Sequence, residues 1–144
     1  MAANRLKLLS KELYEQLAAA DDAICRRVAA VVVDLAMDTA AVTTGREEAT
    51  AALNAGQYGD SELRQWLLKA SKDAAMASHE AEELDGNRAE AERTWKLARA
   101  YETAYQALAA DATHAAGEAL YEVAVLVGQD RALAVARQVL SDES

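Results

Sequence analysis

The stretch Cys25-Arg26-Arg27-Val28-Ala29-Ala30-Val31-Val32-Val33-Asp34-Leu35 decides the fold class. Cys25, Val28, Val31, Val32 and Leu35 recur at helical spacing, and Ala29 to Val33 is apolar on every side. A helix without a polar face needs several neighbours, so this segment predicts the central helix of a bundle. Those neighbours must themselves be helices. Of the 144 residues 36 are alanine, the best helix former, and none is proline, the residue that most reliably ends helices. Phenylalanine is absent too, so the interfaces are built from small residues, leucine and valine.

Upstream, Leu6, Leu9, Leu13 and Leu17 repeat at helical spacing between charged residues, which predicts an amphipathic helix running to about Ala20. Asp21 or Asp22 then caps the central helix, unless the two are one long helix. Downstream, the central helix extends to Val42 and stops at Thr43 and Thr44. Thr44-Gly45-Arg46-Glu47 fits a capping box opening a short helix from Arg46 to Asn54. Asn54 to Asp60, with Gly56 and Gly59, is the clearest loop.

Asp60 or Ser61 caps a helix presenting Leu63, Trp66, Leu67, Ala70, Ala74, Ala77 and Ala81, which stops near Asp85-Gly86-Asn87. A further stripe runs through Ala91, Trp95, Ala98, Tyr101, Tyr105 and Leu108. Asp111 either interrupts this helix or merely decorates it before Ala112, Ala116, Leu120, Val123 and Val127, with Gly128 as a C-cap. A last helix from Asp130 carries Leu133, Ala136, Val139 and Leu140 and frays into Ser141-Asp142-Glu143-Ser144. The expectation is an all-α helical bundle of six or seven helices. Four longer ones form the core of a single domain over residues 1–144.

Charge narrows the function. The net charge is −9, which argues against nucleic acid and anionic membrane as partners, because phosphate binding needs clustered lysine and arginine. The apolar run Val28 to Leu35 falls far short of the roughly 20 residues of a spanning helix. The N-terminus has no apolar stretch of signal-peptide length, so a cytoplasmic location is expected. The single cysteine, Cys25, excludes an intramolecular disulfide. It reads as a small buried residue, although Arg26 and Arg27 beside it would favour a thiolate.

Two histidines each precede a glutamate by four residues, His79 with Glu83 and His114 with Glu118, so each pair shares a helix face. A ferritin-like centre needs two Glu-x-x-His pairs and two more glutamates. Met76 and Asp111 stand where those first glutamates belong, so neither a metal nor a cofactor is expected. Asp34 and Asp38 interrupt an apolar helix and need a cation, for which Arg26, Arg27 and Arg99 are the candidates. Trp66, Trp95, Tyr101, Tyr105 and Tyr121 at helical spacing read as core, with a pocket or binding face as the alternative. No glycine-rich phosphate loop and no nucleophile context is present, so enzymatic activity is not expected.

Three stretches carry a family resemblance. Arg46-Glu47-Glu48-Ala49 through Leu53-Asn54-Ala55-Gly56-Gln57-Tyr58 resembles a short helix ending in a Gly-x-hydrophobic turn. Ser61 to Ala81 resembles the alanine-rich helix that follows it. Ala98-Arg99-Ala100-Tyr101 through Thr113-His114-Ala115-Ala116-Gly117-Glu118-Ala119-Leu120-Tyr121 is similar to a Thr-His-Ala-x-Gly-x-Ala-x-Tyr segment. Together, over about residues 25–128, they resemble the Imm-5-like immunity proteins, small helical bacterial proteins linked to toxin systems. The chain departs from that pattern in having Ala51-Ala52-Leu53-Asn54 without a tryptophan in the short helix, and no proline in its connections.

The resemblance implies a protein that binds a partner, with no catalytic residues, and an acidic surface suits a basic toxin. Candidate partner-binding residues are Tyr58 and the acidic edge Glu80, Glu82, Glu83 and Asp85. Two rival readings come from other classes. One is a pocket for a small molecule or metal near Tyr101, His114 and Glu118. The other is a homo-dimer with the leucine stripe Leu6, Leu9, Leu13 and Leu17 as its seam.

Overall fold

The computed structural model describes residues 4–142. Residues 1–3 and 143–144 of the expected domain span, with the expected fraying at Glu143-Ser144, lie outside the described residues. Among those described there are seven α-helices, one 3-10 turn and no strand. The turn is Arg5–Leu8. The helices are α1 Lys11–Ala19, α2 Asp22–Thr39, α3 Arg46–Ala55, α4 Glu62–Glu83, α5 Arg88–Ala107, α6 Ala112–Val127 and α7 Gln129–Asp142. The all-α bundle is as the composition predicts, with α2, α4, α5 and α6 the four longer helices.

Polar side chains set most helix starts. Ser10, Asp21, Ser61, Asn87 and Asp111 each accept the backbone N–H three residues on, and each such cap contributes about 1 kcal/mol. Ser10 explains why Leu6 to Ala20 is not one helix: its hydroxyl accepts the Leu13 N–H and begins α1 afresh after the 3-10 turn.

Two boundaries differ from the sequence pattern. The central helix α2 ends at Thr39 rather than reaching Val42. Ala41 takes a left-handed conformation with φ 54°, and the Val42 N–H reaches back to the Met37 carbonyl at 2.9 Å. This closure satisfies the last carbonyls and folds Val42 into the core. The capping box at Thr44 is also not made. Gly45 is itself the N-cap of α3, at φ 84° and without a side-chain cap, and a Cβ there would overlap the Trp66 ring.

The core centres on α6, which packs against α2, α5, α7, α1 and the 3-10 turn, while α2 also packs against α5, α7 and α3. The leucine stripe belongs to this interior. Leu6, Leu13 and Leu17 are fully buried and Leu9 packs against the cluster, so the stripe is not available as a dimer seam.

The outer helix α4 packs chiefly on α5. Three side chains of α4 donate to α5 carbonyls: Arg64 Nε to Tyr105 O at 3.0 Å, Ser71 Oγ to Ala98 O at 3.1 Å and Ser78 Oγ to Ala91 O at 2.6 Å. As numbers rise by seven on α4 they fall by seven on α5, which is the heptad register of an antiparallel pair. Short serine side chains reach those carbonyls because Ala91 and Ala98 keep the two backbones close.

Candidate functional site

Placing the predicted residues begins with α6. Glu118 and Glu122 lie one turn apart on it, and both are buried, Glu122 to 1% exposure. Buried carboxylates need charge partners. Arg5, from the 3-10 turn, supplies one: its backbone N–H donates to Glu118 at 3.2 Å, and its guanidinium bonds Glu118 at 3.1 Å and Glu122 at 2.8 Å. Arg99 of α5 holds Glu122 from the other side at 2.9 Å. Burial pushes the Glu122 carboxyl above its ordinary range, against the pull of Arg99 and Arg5. Gly117 makes the docking possible, because a Cβ there would overlap the Asn4 side-chain amide.

The pocket residues Tyr101, His114 and Glu118 therefore do different work. Tyr101 donates to the Thr44 carbonyl at 2.9 Å and meets Trp66 edge-on, with ring centroids 5.5 Å apart. The His114 N–H is capped by Asp111, and its carbonyl accepts from Asn4. Glu118 is taken by Arg5. Among the described residues no group of three or more His, Cys, Asp or Glu is placed to hold a metal ion.

Other pairings also differ from the sequence reading. Asp34 and Asp38 point outward and meet Arg46, at 3.7 and 2.6 Å, instead of Arg26, Arg27 or Arg99. Arg26 closes the end of α5, donating to the carbonyls of Ala109 at 2.8 Å and Ala110 at 2.7 Å. Its guanidinium lies 3.5 Å from the Tyr58 ring centroid. Tyr58 is half-buried in that contact and donates to Leu53 O. Cys25 is buried and donates to Leu17 O, and burial pushes its thiol up rather than down.

The remaining candidates sit on or beside α4. Its 22 residues span about 33 Å at 1.5 Å per residue. Tyr58 precedes its start and Glu80, Glu82, Glu83 and Asp85 mark its end, so the predicted partner-binding set is divided between two ends of one helix. All four acids are exposed. Glu80 and Glu83 share a face, while Glu82 turns aside and lines a groove with Arg88 and Trp95.

A continuous feature joins the two ends. At about 100° per residue, Glu62, Trp66, Asp73, Met76, Glu80 and Leu84 fall within a stripe about 80° wide, and all six are exposed. Trp66 is 39%, Met76 63% and Leu84 79% exposed. Lys69 lies in the same stripe, also exposed, and pairs with Asp73 at 2.7 Å, so the solvent side of α4 mixes large apolar, acidic and one basic residue. The periodicity of Leu63, Trp66, Leu67, Ala70, Ala74, Ala77 and Ala81 locates the buried Leu67 and Ala81, but Ala77 is exposed and Trp66 stays 39% exposed at the edge of the contact, against Tyr101. Of the five aromatics read as core, only Tyr101 is buried. Tyr105 and Tyr121 are half-buried under Arg64 and Arg5, at 4.0 and 4.5 Å. The signal in the sequence was polar company: Asp73 and His79 lie three residues either side of Met76, and Leu84 stands between Glu83 and Asp85.

No helix among the described residues is long and apolar enough to cross a membrane. No protein-family model, curated protein or solved structure matches the chain.

Proposed function

We propose that this chain is a non-enzymatic protein-binding module that presents the outer face of α4 to a basic partner, in the manner of an immunity protein occluding a toxin. The observation that carries this reading is the exposed stripe Trp66, Met76 and Leu84, flanked by Glu62 and Glu80 and by Asp73, which Lys69 pairs. Large apolar side chains held in water by a rigid helix are anchors in search of a pocket. A standard interface buries about 800 Å² per partner, a disc about 30 Å across, which is the length of α4. The acids supply steering: Glu80, Glu83 and Asp85 form no ion pair among the described residues, and a net charge of −9 raises the capture rate of a cationic partner. The Imm-5-like resemblance supports the same reading and adds the toxin as the partner class.

Co-expression with the products of adjacent genes tests it, scored by rescue from toxicity and by co-purification. Rescue with a stable complex, lost when Met76 and Leu84 are both changed to Asp, supports the reading. Neither rescue nor complex, or a complex indifferent to both changes, overturns it.

A further inference from the structure

We propose that the groove between the first turns of α3 and α4 receives an arginine side chain of the basic partner. The proposal rests on the partner-binding reading and names one of its contacts. The groove has a volume of about 450 Å³ and is lined by Thr44, Gly45, Glu48, Glu62, Leu63 and Trp66. Leu63 and the Trp66 indole give it an apolar wall. The indole is fixed in place: Gly45 lies against one part of the ring and Tyr101 meets it edge-on.

Glu48 and Glu62 are exposed at the mouth, and neither forms an ion pair among the described residues. Nearby cations are committed elsewhere. Arg46 holds Asp38 and Asp34, and Arg64 lies over Tyr105 while bonding its carbonyl. Both glutamates stand in the first turn of a helix, beside its positive end. Each end carries only about half a charge against a full carboxylate, so the mouth stays negative. An aromatic wall and two carboxylates lining one groove suit a planar guanidinium, which stacks and bonds at once.

The other tryptophan supplies the contrast. Trp95 is also 39% exposed, yet its groove already contains Arg88, and Glu92 there is paired with Lys96 at 3.5 Å. One groove holds its own cation; the other has two carboxylates and none.

The test is a titration of the intact chain with acetyl-Ala-Arg-Ala-amide, followed by NMR of the two indole N–H signals, assigned with Trp95→Phe. The expected result is a saturable shift of the Trp66 signal with Trp95 unmoved. Binding should weaken at least about tenfold for the citrulline analogue, and by a similar factor in Glu48→Gln/Glu62→Gln, both changes being exposed and mild for folding. No saturable shift, equal movement of both indoles, or equal binding of citrulline would overturn the proposal. So would a dimer in sedimentation that Glu62→Arg dissolves, since a second copy would then cover the groove. The peptide needs no toxin, so failure here leaves the co-expression result intact, and the reverse also holds.

Discussion

Helices α4 and α6 are both rich in alanine, and they end up in opposite environments. Ten of the 16 residues of α6 are buried, Glu118 and Glu122 among them, whereas α4 buries only Leu67, Ser71 and Ala81 of its 22. Neither outcome follows from the residues taken singly. Glutamates lie inside on α6, and tryptophan, methionine and leucine lie outside on α4. The difference is the number of neighbours. Five elements surround α6, so even its polar positions are covered and must be paired. Chiefly one helix covers α4, so most residues outside that contact stay in water whatever their chemistry. Exposed apolar side chains on α4 are therefore available for binding, while buried acids on α6 are committed to the fold.

The largest expected effect breaks the α6 side of this comparison. Glu122→Ala leaves Arg99 and Arg5 without their shared carboxylate and should cost about 3–5 kcal/mol in denaturant unfolding. Glu80→Ala on α4 should stay within about 0.5 kcal/mol. Equal costs would remove the contrast. Next comes Gly117→Ala. The added Cβ gains about 1 kcal/mol of helix propensity but forces Asn4 off α6, at about 1–3 kcal/mol. The net loss should appear as faster amide exchange at Leu6 and Leu9, confined to the 3-10 turn. Protection unchanged there would mean that the turn docks without the notch at Gly117.

Ser71→Ala sharpens the α4 side. It removes one of three heptad-spaced bonds to α5 and should cost about 1 kcal/mol, whereas Met76→Ala, five residues on and exposed, should leave the unfolding midpoint in place. A large loss for Met76→Ala would show that the stripe serves the fold. The smallest effect is one of pH. Burial raises the Glu122 pKa in the folded chain above its ordinary 4.5, so the folded state binds more protons between the two values. Its contribution is fully present below pH 4.5 and is lost as pH rises through the folded pKa. The stability difference between the native chain and Glu122→Gln should accordingly fall as pH rises through that window. A difference flat with pH, or rising, would mean that the two guanidiniums outweigh burial.

Legibility in the sequence followed the same division. The all-α class, the cap sites at Asp21-Asp22, Asp60-Ser61 and Asn87, and the burial of Val28, Val32 and Leu67 were readable because they depend on local propensity and period; which residue of each pair caps was settled by the fold, as Asp21 and Ser61. Ala41 was not, since a left-handed alanine is unfavourable locally by about 1–2 kcal/mol and is held by Val42 entering the core. The acidic edge and Tyr58 were legible as exposed or loop residues, but their separation along α4 was not. Trp66 was misplaced by its period, which gives the angle of a residue on its helix but not which angles a neighbour covers.

By itself, then, the sequence determined what each segment would become and roughly which way its faces divide, because hydrogen-bonded helices, caps and turns are set by residues a few positions apart. Tertiary structure decided which faces are closed and which charges meet. Arg5 finds Glu118 and Glu122 across more than a hundred residues, Arg46 takes Asp34 and Asp38, and the α4 stripe faces water because that helix packs chiefly on α5. Those outcomes depend on how many elements converge on a surface, a property of the assembled bundle that no local stretch of chain contains.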